Sequence, residues 1–143
     1  MLPGIEYPGV YALAVLDRPP YRSKFSWIPE ISYIGMTCAL DGLQSRLNQF
    51  DDTISGRRTN HGGADRVRYA YRRYKDLVPC LYVAIHAVRC DTSRVSPRLL
   101  RALGRVARLE YEYLAQYMAL FAVLPEFNDK RRSPKYSKRR RIS

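Results

Sequence analysis

The sequence predicts a small α+β domain, in which a three-stranded, mainly antiparallel sheet is flanked by helices and followed by a basic C-terminal tail. Two observations predict this class. Three short apolar runs have the character of buried strands, and the stretches around the third run space their apolar residues as helices do. The resulting order along the chain is β-β-α-α-β-α. A chain of 143 residues is long enough to bury a core of its own and corresponds to one domain.

The first strand is predicted over residues 9–17, where apolar side chains occupy both alternating faces, as in a strand that is covered on both sides. Residues 18–30 then interrupt regular structure with three prolines and are rich in basic and aromatic residues. Residues 31–36 form the second predicted strand.

Two helices are predicted next. Leu43, Leu47 and Phe50 recur at helical spacing and place the first helix at residues 40–51. A polar, turn-rich segment separates it from a second helix over residues 64–74, where the helical spacing of apolar residues resumes.

The third strand is predicted over residues 80–88, again buried on both faces. A long helix begins after Ser96, whose side chain suits the N-cap, with Pro97 at the first helical position. This helix ends before Pro125, and the sequence leaves open a bend or interruption at Gly104.

Net charge is the unusual feature of the composition. The chain carries 25 Lys and Arg residues against 13 Asp and Glu residues, which gives a net charge of +12. Eight bases and no acid fall in the last 14 residues, so the preceding part carries only +4. We therefore assign residues 1–129 to the folded domain and residues 130–143 to a basic tail that is disordered without a partner. A basic protein of this kind binds nucleic acid or an anionic membrane surface.

The cysteines and the hydropathy of the sequence indicate in which kind of cellular compartment the protein is expected. The three cysteines show no Cys-x-x-Cys spacing, which argues against a zinc module or a disulfide scaffold and favours a reducing compartment. No apolar run is long enough to cross a membrane, and the N-terminus lacks the pattern of a signal peptide. The sequence therefore predicts neither a membrane-spanning nor a secreted protein.

Short motifs relate the chain to a known family. They are Gly-Val-Tyr at residues 9–11, Tyr-Ile-Gly at 33–35, Leu-Gln-Ser-Arg-Leu at 43–47, Leu-Glu at 109–110 with a leucine at 114, and Pro-Glu-Phe-Asn at 125–128. In order and spacing these motifs resemble the GIY-YIG nuclease domain of homing endonucleases, some restriction enzymes and excision-repair incision proteins. The resemblance spans most of the predicted domain and implies a metal-dependent DNA endonuclease.

Glu110 is singled out by the long helix itself. It is the only acid on the apolar stripe Leu99, Leu103, Val106, Glu110, Tyr113 and Tyr117. A carboxylate that faces a core is costly to bury without a metal or a base as its partner. A salt bridge to an arginine of the helix, or a position at the edge of the core, is the alternative. The resemblance implies that Glu110 binds a divalent metal, Mg²⁺ or Mn²⁺.

Arg46 shares the apolar face of the first helix, so its guanidinium should be held at a partly covered place unless it extends into solvent from the helix edge. A fixed guanidinium suits a phosphate whose negative charge grows in the transition state. The resemblance implies that Tyr11 is the general base and Tyr33 its hydrogen-bonding partner, with the reverse roles open. A tyrosine with a pKa of about 10 acts near neutral pH only if cations lower that value, and we expect Arg46 and the metal to do so.

Two further residues complete the predicted site. Asn128 matches the terminal asparagine of the family motif and should fix the backbone near the site, although an ordinary turn asparagine is the alternative. His61 lies where several homing-type relatives have a histidine, so it either contacts a phosphate or the leaving group or is a surface residue. Phe50 stands four residues after Arg46, where relatives commonly have tyrosine or histidine, and it cannot exchange a proton. His86 is interpreted as structural.

The sequence therefore predicts an endonuclease that acts on double-stranded DNA, with a homodimer as one route to cutting both strands. It is not expected at a membrane, and is expected in the cytoplasm or nucleoid, or in the nucleus if the host is a eukaryote. The alternative is a non-catalytic DNA- or RNA-binding protein that keeps the fold. DNA binding is assigned to thirteen bases, which are Arg22, Lys24, Arg57, Arg58, Arg66, Arg68, Lys130, Arg131, Arg132, Lys138, Arg139, Arg140 and Arg141.

Overall fold

A computed structural model describes residues 2–20 and 24–136 of the chain. These residues form an α+β fold with a three-stranded antiparallel sheet, as the sequence predicts, and four α-helices in place of the three predicted. The elements are β1 (Gly9–Val15), β2 (Ile31–Thr37), α1 (Gly42–Ser55), α2 (Gly62–Ala70), the single turn α3 (Tyr74–Leu77), β3 (Leu81–Ala87) and α4 (Pro97–Phe121), with 3₁₀ turns at Val78–Cys80 and Glu126–Asn128.

The sheet has the order β2-β1-β3, and both neighbours of the central strand run antiparallel to it. Tyr11 on β1 lies opposite Gly35 on β2 and Ile85 on β3. The next β1 residue on the same face, Leu13, lies opposite Tyr33. The two tyrosines of the family motif are therefore held on one face of a hydrogen-bonded pair of strands.

Two apolar cores lie on opposite faces of the sheet, because successive side chains of β1 alternate between the faces. Tyr11 packs with residues of α1 and α2, among them Leu43 and Val67. Val10 packs with the buried stripe of α4, including Val106 and Tyr117. Helices α1 and α2 thus cover one face and α4 covers the other.

The prediction that the third strand is buried on both faces is wrong. Strand β3 is an edge strand that pairs with β1, and its residues are half-buried or exposed, with Val83 at 38% exposure. An uncharged apolar run has the same appearance in a central strand and in an edge strand, which explains the error.

The predicted helices form with shifted ends. Helix α1 continues to Ser55, where Gly56 adopts a left-handed backbone. The second predicted helix, 64–74, is broken after Ala70 and resumes as α3. Helix α4 begins as predicted, with the Ser96 Oγ accepting a hydrogen bond from the Leu99 amide at 3.1 Å.

Two residues of the predicted basic tail, Ser133 and Tyr136, contact the rest of the domain. Ser133 is buried, and its carbonyl oxygen accepts a hydrogen bond from Nη1 of Arg66 on α2. The guanidinium of Arg68 lies over the ring of Tyr136, 3.9 Å from its centroid. The segment 130–136 is therefore held to the domain at Ser133 and Tyr136, while Lys130 and Arg131 are exposed. The remainder of the predicted tail, 137–143, lies outside the described residues.

In the part of the chain that the structure describes, none of the helices has the length and apolarity needed to cross a bilayer.

Two glycine substitutions test this description of packing. Helix α4 runs uninterrupted through Gly104, and a Cβ added there meets no atom within 4 Å. We expect Gly104→Ala to raise the free energy of unfolding by about 0.5–1 kcal/mol, because alanine favours the helical backbone.

A Cβ on Gly35 would lie 2.6 Å from the Tyr11 Oη, so Gly35→Ala should lower the free energy of unfolding.

Chemical denaturation of both variants at pH 7 measures these changes. A lower stability of Gly104→Ala would show that the helix is bent or interrupted there, and an unchanged stability of Gly35→Ala would show that the Tyr11 ring does not occupy the space above this glycine.

Candidate active site

Five of the six predicted site residues come together from five different elements. Tyr11 lies on β1, Tyr33 on β2, Arg46 on α1, His61 at the N-cap of α2 and Glu110 on α4. The Tyr11 and Tyr33 ring centroids are 6.0 Å apart, and the His61 ring lies 6.3 Å from the first and 5.8 Å from the second. Arg46 acts electrostatically on both tyrosines, on His61 and on Glu110.

His61 is buried, which excludes the surface alternative, and both of its ring nitrogens are in use. Its Nδ1 accepts a hydrogen bond from the Ala64 amide at 3.1 Å, and its Nε2 lies 2.6 Å from the Tyr11 Oη. An amide N–H can only donate, so Nδ1 carries no proton, and in the neutral ring the proton is on Nε2. The Nε2–H therefore donates to the Tyr11 hydroxyl oxygen.

Burial raises the pKa of Tyr11 above its ordinary value, although the charge of Arg46 and a hydrogen bond from it lower that pKa. The pKa of Tyr33 is likewise raised, with burial as the largest cause. The expectation that neighbouring cations hold the Tyr11 pKa low is therefore not met by the side chains of the chain, since desolvation outweighs Arg46.

Burial also lowers the pKa of His61 to about 3, and the adjacent Arg46 acts in the same direction. Both effects disfavour the charged imidazolium. At neutral pH His61 is therefore an uncharged hydrogen-bond donor to Tyr11.

One nitrogen of the Arg46 side chain is hydrogen-bonded within α1, and another has no hydrogen-bond partner in the described part of the chain. Its Nη1 donates to the Gln49 Oε1 at 2.8 Å, which fixes the guanidinium along α1. Its Nε is buried and has no hydrogen-bond partner among the described residues. A buried donor without a partner is unfavourable, so this nitrogen is suited to an anionic oxygen supplied by a ligand.

Glu110 is a half-buried carboxylate on α4. Burial raises its pKa, and the charge of Arg46 partly offsets this effect. A group of three metal-ligating side chains is not found among residues 2–20 and 24–136. Mg²⁺ commonly takes one or two protein carboxylates and completes its shell with water and substrate phosphate oxygens. A single partly desolvated carboxylate fits that mode of binding.

Asn128 lies beside the site as a backbone clamp. Its Oδ1 accepts from the Ile34 amide and its Nδ2 donates to the Ile34 carbonyl, both at 2.8 Å. The amide thus pairs with the outer edge of β2 as a neighbouring strand would, at the residue between Tyr33 and Gly35. This geometry agrees with the prediction that Asn128 fixes the local backbone.

Two glycines that the sequence analysis did not assign to the site provide its space. A Cβ on Gly35 would meet the ring of Tyr11, and a Cβ on Gly63 would meet the ring of Tyr33 closer than real carbon atoms approach. Both tyrosine rings therefore pack against bare backbone. The signal in the sequence is the glycine that ends Tyr-Ile-Gly and the glycine pair that follows His61.

The predicted DNA-binding bases have different environments. Arg66 is only 9% exposed and donates to the Ser133 carbonyl, so little of its side chain is open to solvent. A guanidinium buried against a carbonyl connects α2 to the C-terminal segment instead. Arg57 pairs with Asp51 and Asp52.

The other predicted bases include Arg132, which pairs with Asp129, and Arg68, which lies over the Tyr136 ring. Exposed side chains are found at Lys24, Arg58, Lys130 and Arg131. The remaining predicted contacts lie outside the described residues, namely Arg22, Lys138, Arg139, Arg140 and Arg141.

Comparison of the chain with protein-family models, with curated proteins and with solved structures gives no match. The candidate site therefore rests on its own geometry and on the resemblance of its motifs.

The depressed pKa of His61 predicts a pH-dependent stability. As pH falls from about 6.5 toward 3, the unfolded chain binds a proton at this residue and the folded chain does not, so folding weakens by about 1.4 kcal/mol per pH unit from this group. His61→Asn keeps an N-cap residue but removes this titration. We expect wild type to be the more stable protein at pH 7.5, with its advantage reduced by about 3 kcal/mol at pH 4.5.

Urea denaturation of both proteins across this range measures the advantage, and the other titrating groups are common to the pair. An advantage that is constant between pH 7.5 and pH 4.5 would contradict the lowered pKa of His61.

Proposed function

We propose that this chain is a metal-dependent DNA endonuclease of the GIY-YIG type, which hydrolyses phosphodiester bonds of double-stranded DNA. The observation that carries the proposal is the convergence of Tyr11, Tyr33, Arg46 and Glu110, which the family motifs pick out across about a hundred residues of sequence. The buried and unpartnered Nε of Arg46 supports an anionic oxygen at the same place.

Each side chain has a distinct part in the proposed hydrolysis. Tyr11, in its phenolate form, accepts the proton of the attacking water. Two groups stabilise the phenolate oxygen. In the structure the Nε2–H of His61 is hydrogen-bonded to the Tyr11 oxygen, and the positive charge of Arg46 lowers the pKa of Tyr11. Arg46 Nε donates to a non-bridging phosphate oxygen as the phosphorus gains its fifth oxygen. Tyr33 lies beside Tyr11 and helps to orient its hydroxyl.

Glu110 is the residue that would hold the divalent cation, Mg²⁺ or Mn²⁺, together with water and phosphate ligands. When bound, such an ion supplies positive charge that stabilises the leaving oxygen. Because Glu110 also raises the pKa of Tyr33, neutralising this carboxylate favours ionisation within the tyrosine pair.

One site of this kind cuts one strand, so a break in both strands needs a homodimer or two successive cuts. The exposed bases Lys24, Arg58, Lys130 and Arg131 are the described residues best placed to contact phosphates. Such an enzyme acts wherever its DNA lies, in the cytoplasm and nucleoid or in a nucleus.

A second candidate function is nucleic-acid binding without cleavage on the same fold. The observation in its favour is Phe50, whose ring packs on His61 with centroids 5.2 Å apart. Members of the family that the motifs resemble commonly have tyrosine or histidine at this position, and either can exchange a proton. A buried Tyr11 with a raised pKa also favours this alternative.

Substitution of Glu110 separates the two functions. We expect wild type to nick or linearise supercoiled plasmid with Mg²⁺ and not with a chelator, and Glu110→Gln to lose cleavage by several orders of magnitude while still binding DNA. Glu112→Gln is the matched control, because Glu112 is an exposed acid on the same helix that pairs with Gln116. Wild-type turnover in Glu110→Gln, or equal loss in both variants, would remove Glu110 from the site.

Substitutions of the remaining groups test their proposed roles. Tyr11→Phe and Arg46→Ala should each lower the single-turnover cleavage rate by about 10²- to 10⁴-fold, the usual contribution of a positioned base or charge. A much larger loss in Tyr33→Phe than in Tyr11→Phe would exchange the roles of the two tyrosines. Rates within a few-fold of wild type in all three variants would contradict the mechanism.

A further inference from the structure

A cavity of about 380 Å³ lies between the sheet and the segment that carries Phe25 and Trp27. Its floor includes Ala12 and Ala84, which are paired across β1 and β3 and lie on the face toward α4, opposite to the face that carries the Tyr11 ring. Tyr113 of α4 lines one side. Cavities of this size commonly hold small molecules or parts of larger ones.

Aromatic rings form a continuous wall of the cavity. The Phe25 and Trp27 centroids are 5.1 Å apart at nearly perpendicular planes, and the Trp27 and Tyr113 centroids are 6.0 Å apart. His86 continues the series, since its Nδ1 is hydrogen-bonded to the Tyr113 hydroxyl. In an edge-to-face pair, the ring that presents its edge does not use its faces for that contact, so a further planar ring can stack on it. Phe25 is 52% exposed, which is unusual for a large aromatic residue.

The polar lining has no acid, lysine or arginine among the described residues and suits the edge of a heterocycle. Among the described lining residues, His86, Tyr113 and Gln116 offer ring nitrogen, hydroxyl and amide groups, and there is no carboxylate. The exposed Lys24 precedes Phe25, and the whole chain carries a net charge of +12. This combination suits a neutral, planar ligand with hydrogen-bonding edges that is attached to an anionic group.

We propose that this cavity binds a single unpaired nucleobase, stacked on one ring of the wall formed by Phe25, Trp27 and Tyr113, in contact with the other rings at its edge, and hydrogen-bonded by His86 or Gln116. The source of the base is either a nucleic acid strand or a free nucleotide. Stacking on aromatic side chains is a general way to bind bases, because every base has a π face.

The position of Tyr113 links this cavity to the candidate active site. Tyr113 follows Glu110 by three residues on α4, and helical residues at that spacing are neighbours on the helix surface. A base held by Tyr113 therefore lies about one helical turn from the carboxylate proposed to hold the metal. The cavity is placed to set which nucleotide approaches the cleavage site, yet base binding itself requires neither metal nor cleavage.

The test uses Trp27, which is the only tryptophan of the chain. The full-length protein is titrated with adenosine 5′-monophosphate in chelator, and tryptophan fluorescence is corrected with N-acetyltryptophanamide. We expect saturable quenching by the nucleotide and none by ribose 5-phosphate, which lacks the base. Phe25→Ala and Tyr113→Ala should each raise the Kd about tenfold through loss of aromatic contact with the base. Tyr111→Ala is the matched control, since Tyr111 is 74% exposed on the same helix and does not line the cavity.

Equal quenching by ribose 5-phosphate, or an unchanged Kd in Phe25→Ala, overturns the proposal. Phe25→Ala keeps this test decisive if Tyr113→Ala fails to fold, because Phe25 is half-exposed. Saturable quenching by N-acetylphenylalanine amide but not by the nucleotide would show that the cavity binds an apolar protein side chain. This result also overturns the proposal.

Two DNA ligands distinguish the sources of the base. A single-stranded oligodeoxyadenylate that quenches at lower concentration than the mononucleotide supports a base within a strand, and the reverse order supports a free nucleotide. Quenching by a fully paired duplex alone contradicts the requirement for an unpaired base. Because no metal is present, loss of base binding and loss of cleavage are separate results.

Discussion

The hydrogen bond between His61 and Tyr11 is the contact on which the geometry of the site depends. It joins the central strand to the start of α2, and the other nitrogen of the same ring caps that helix through the Ala64 amide. Where the imidazole lies therefore decides where α2 begins, and with it where Gly63 makes room for the Tyr33 ring. One buried uncharged ring thus links the backbone of a helix to the ionisable group of a strand, and a charged imidazolium could not occupy the same place.

Burial controls the chemistry of the site more strongly than charge does. Desolvation is the largest cause of the pKa shifts at Tyr11, Tyr33, His61 and Glu110, and in each case it favours the neutral form. Arg46 is the cation that acts on all four. Arg46 also holds a buried donor without a partner among the described residues, a condition that favours the binding of an anion.

The features that could be predicted from the sequence are those that depend on the periodic spacing of apolar residues. A helical repeat fixes the face of each residue, so the half-buried positions of Glu110 and Arg46 follow from their neighbours on α4 and α1. His61 lies at a loop end, where no period applies, and its burial depends on packing between elements distant in sequence. The burial of Arg66 could not be predicted for the same reason, since its hydrogen-bond acceptor, Ser133, comes 67 residues later. The edge position of β3 was not predicted, because the apolar pattern of one strand does not determine where that strand lies in the order of the sheet.

The clamp at the outer edge of β2 has a consequence for how the protein is made. Asn128 pairs with the backbone of Ile34 across 94 positions of the chain. Closing so long a loop is slow compared with forming a hairpin between neighbouring strands, so β1 and β2 can pair long before the clamp exists. During synthesis from the N-terminus, the strand that carries Tyr33 therefore keeps an open hydrogen-bonding edge until almost the whole domain has left the ribosome. The arrangement of the site is thus one of the last features of the molecule to be completed.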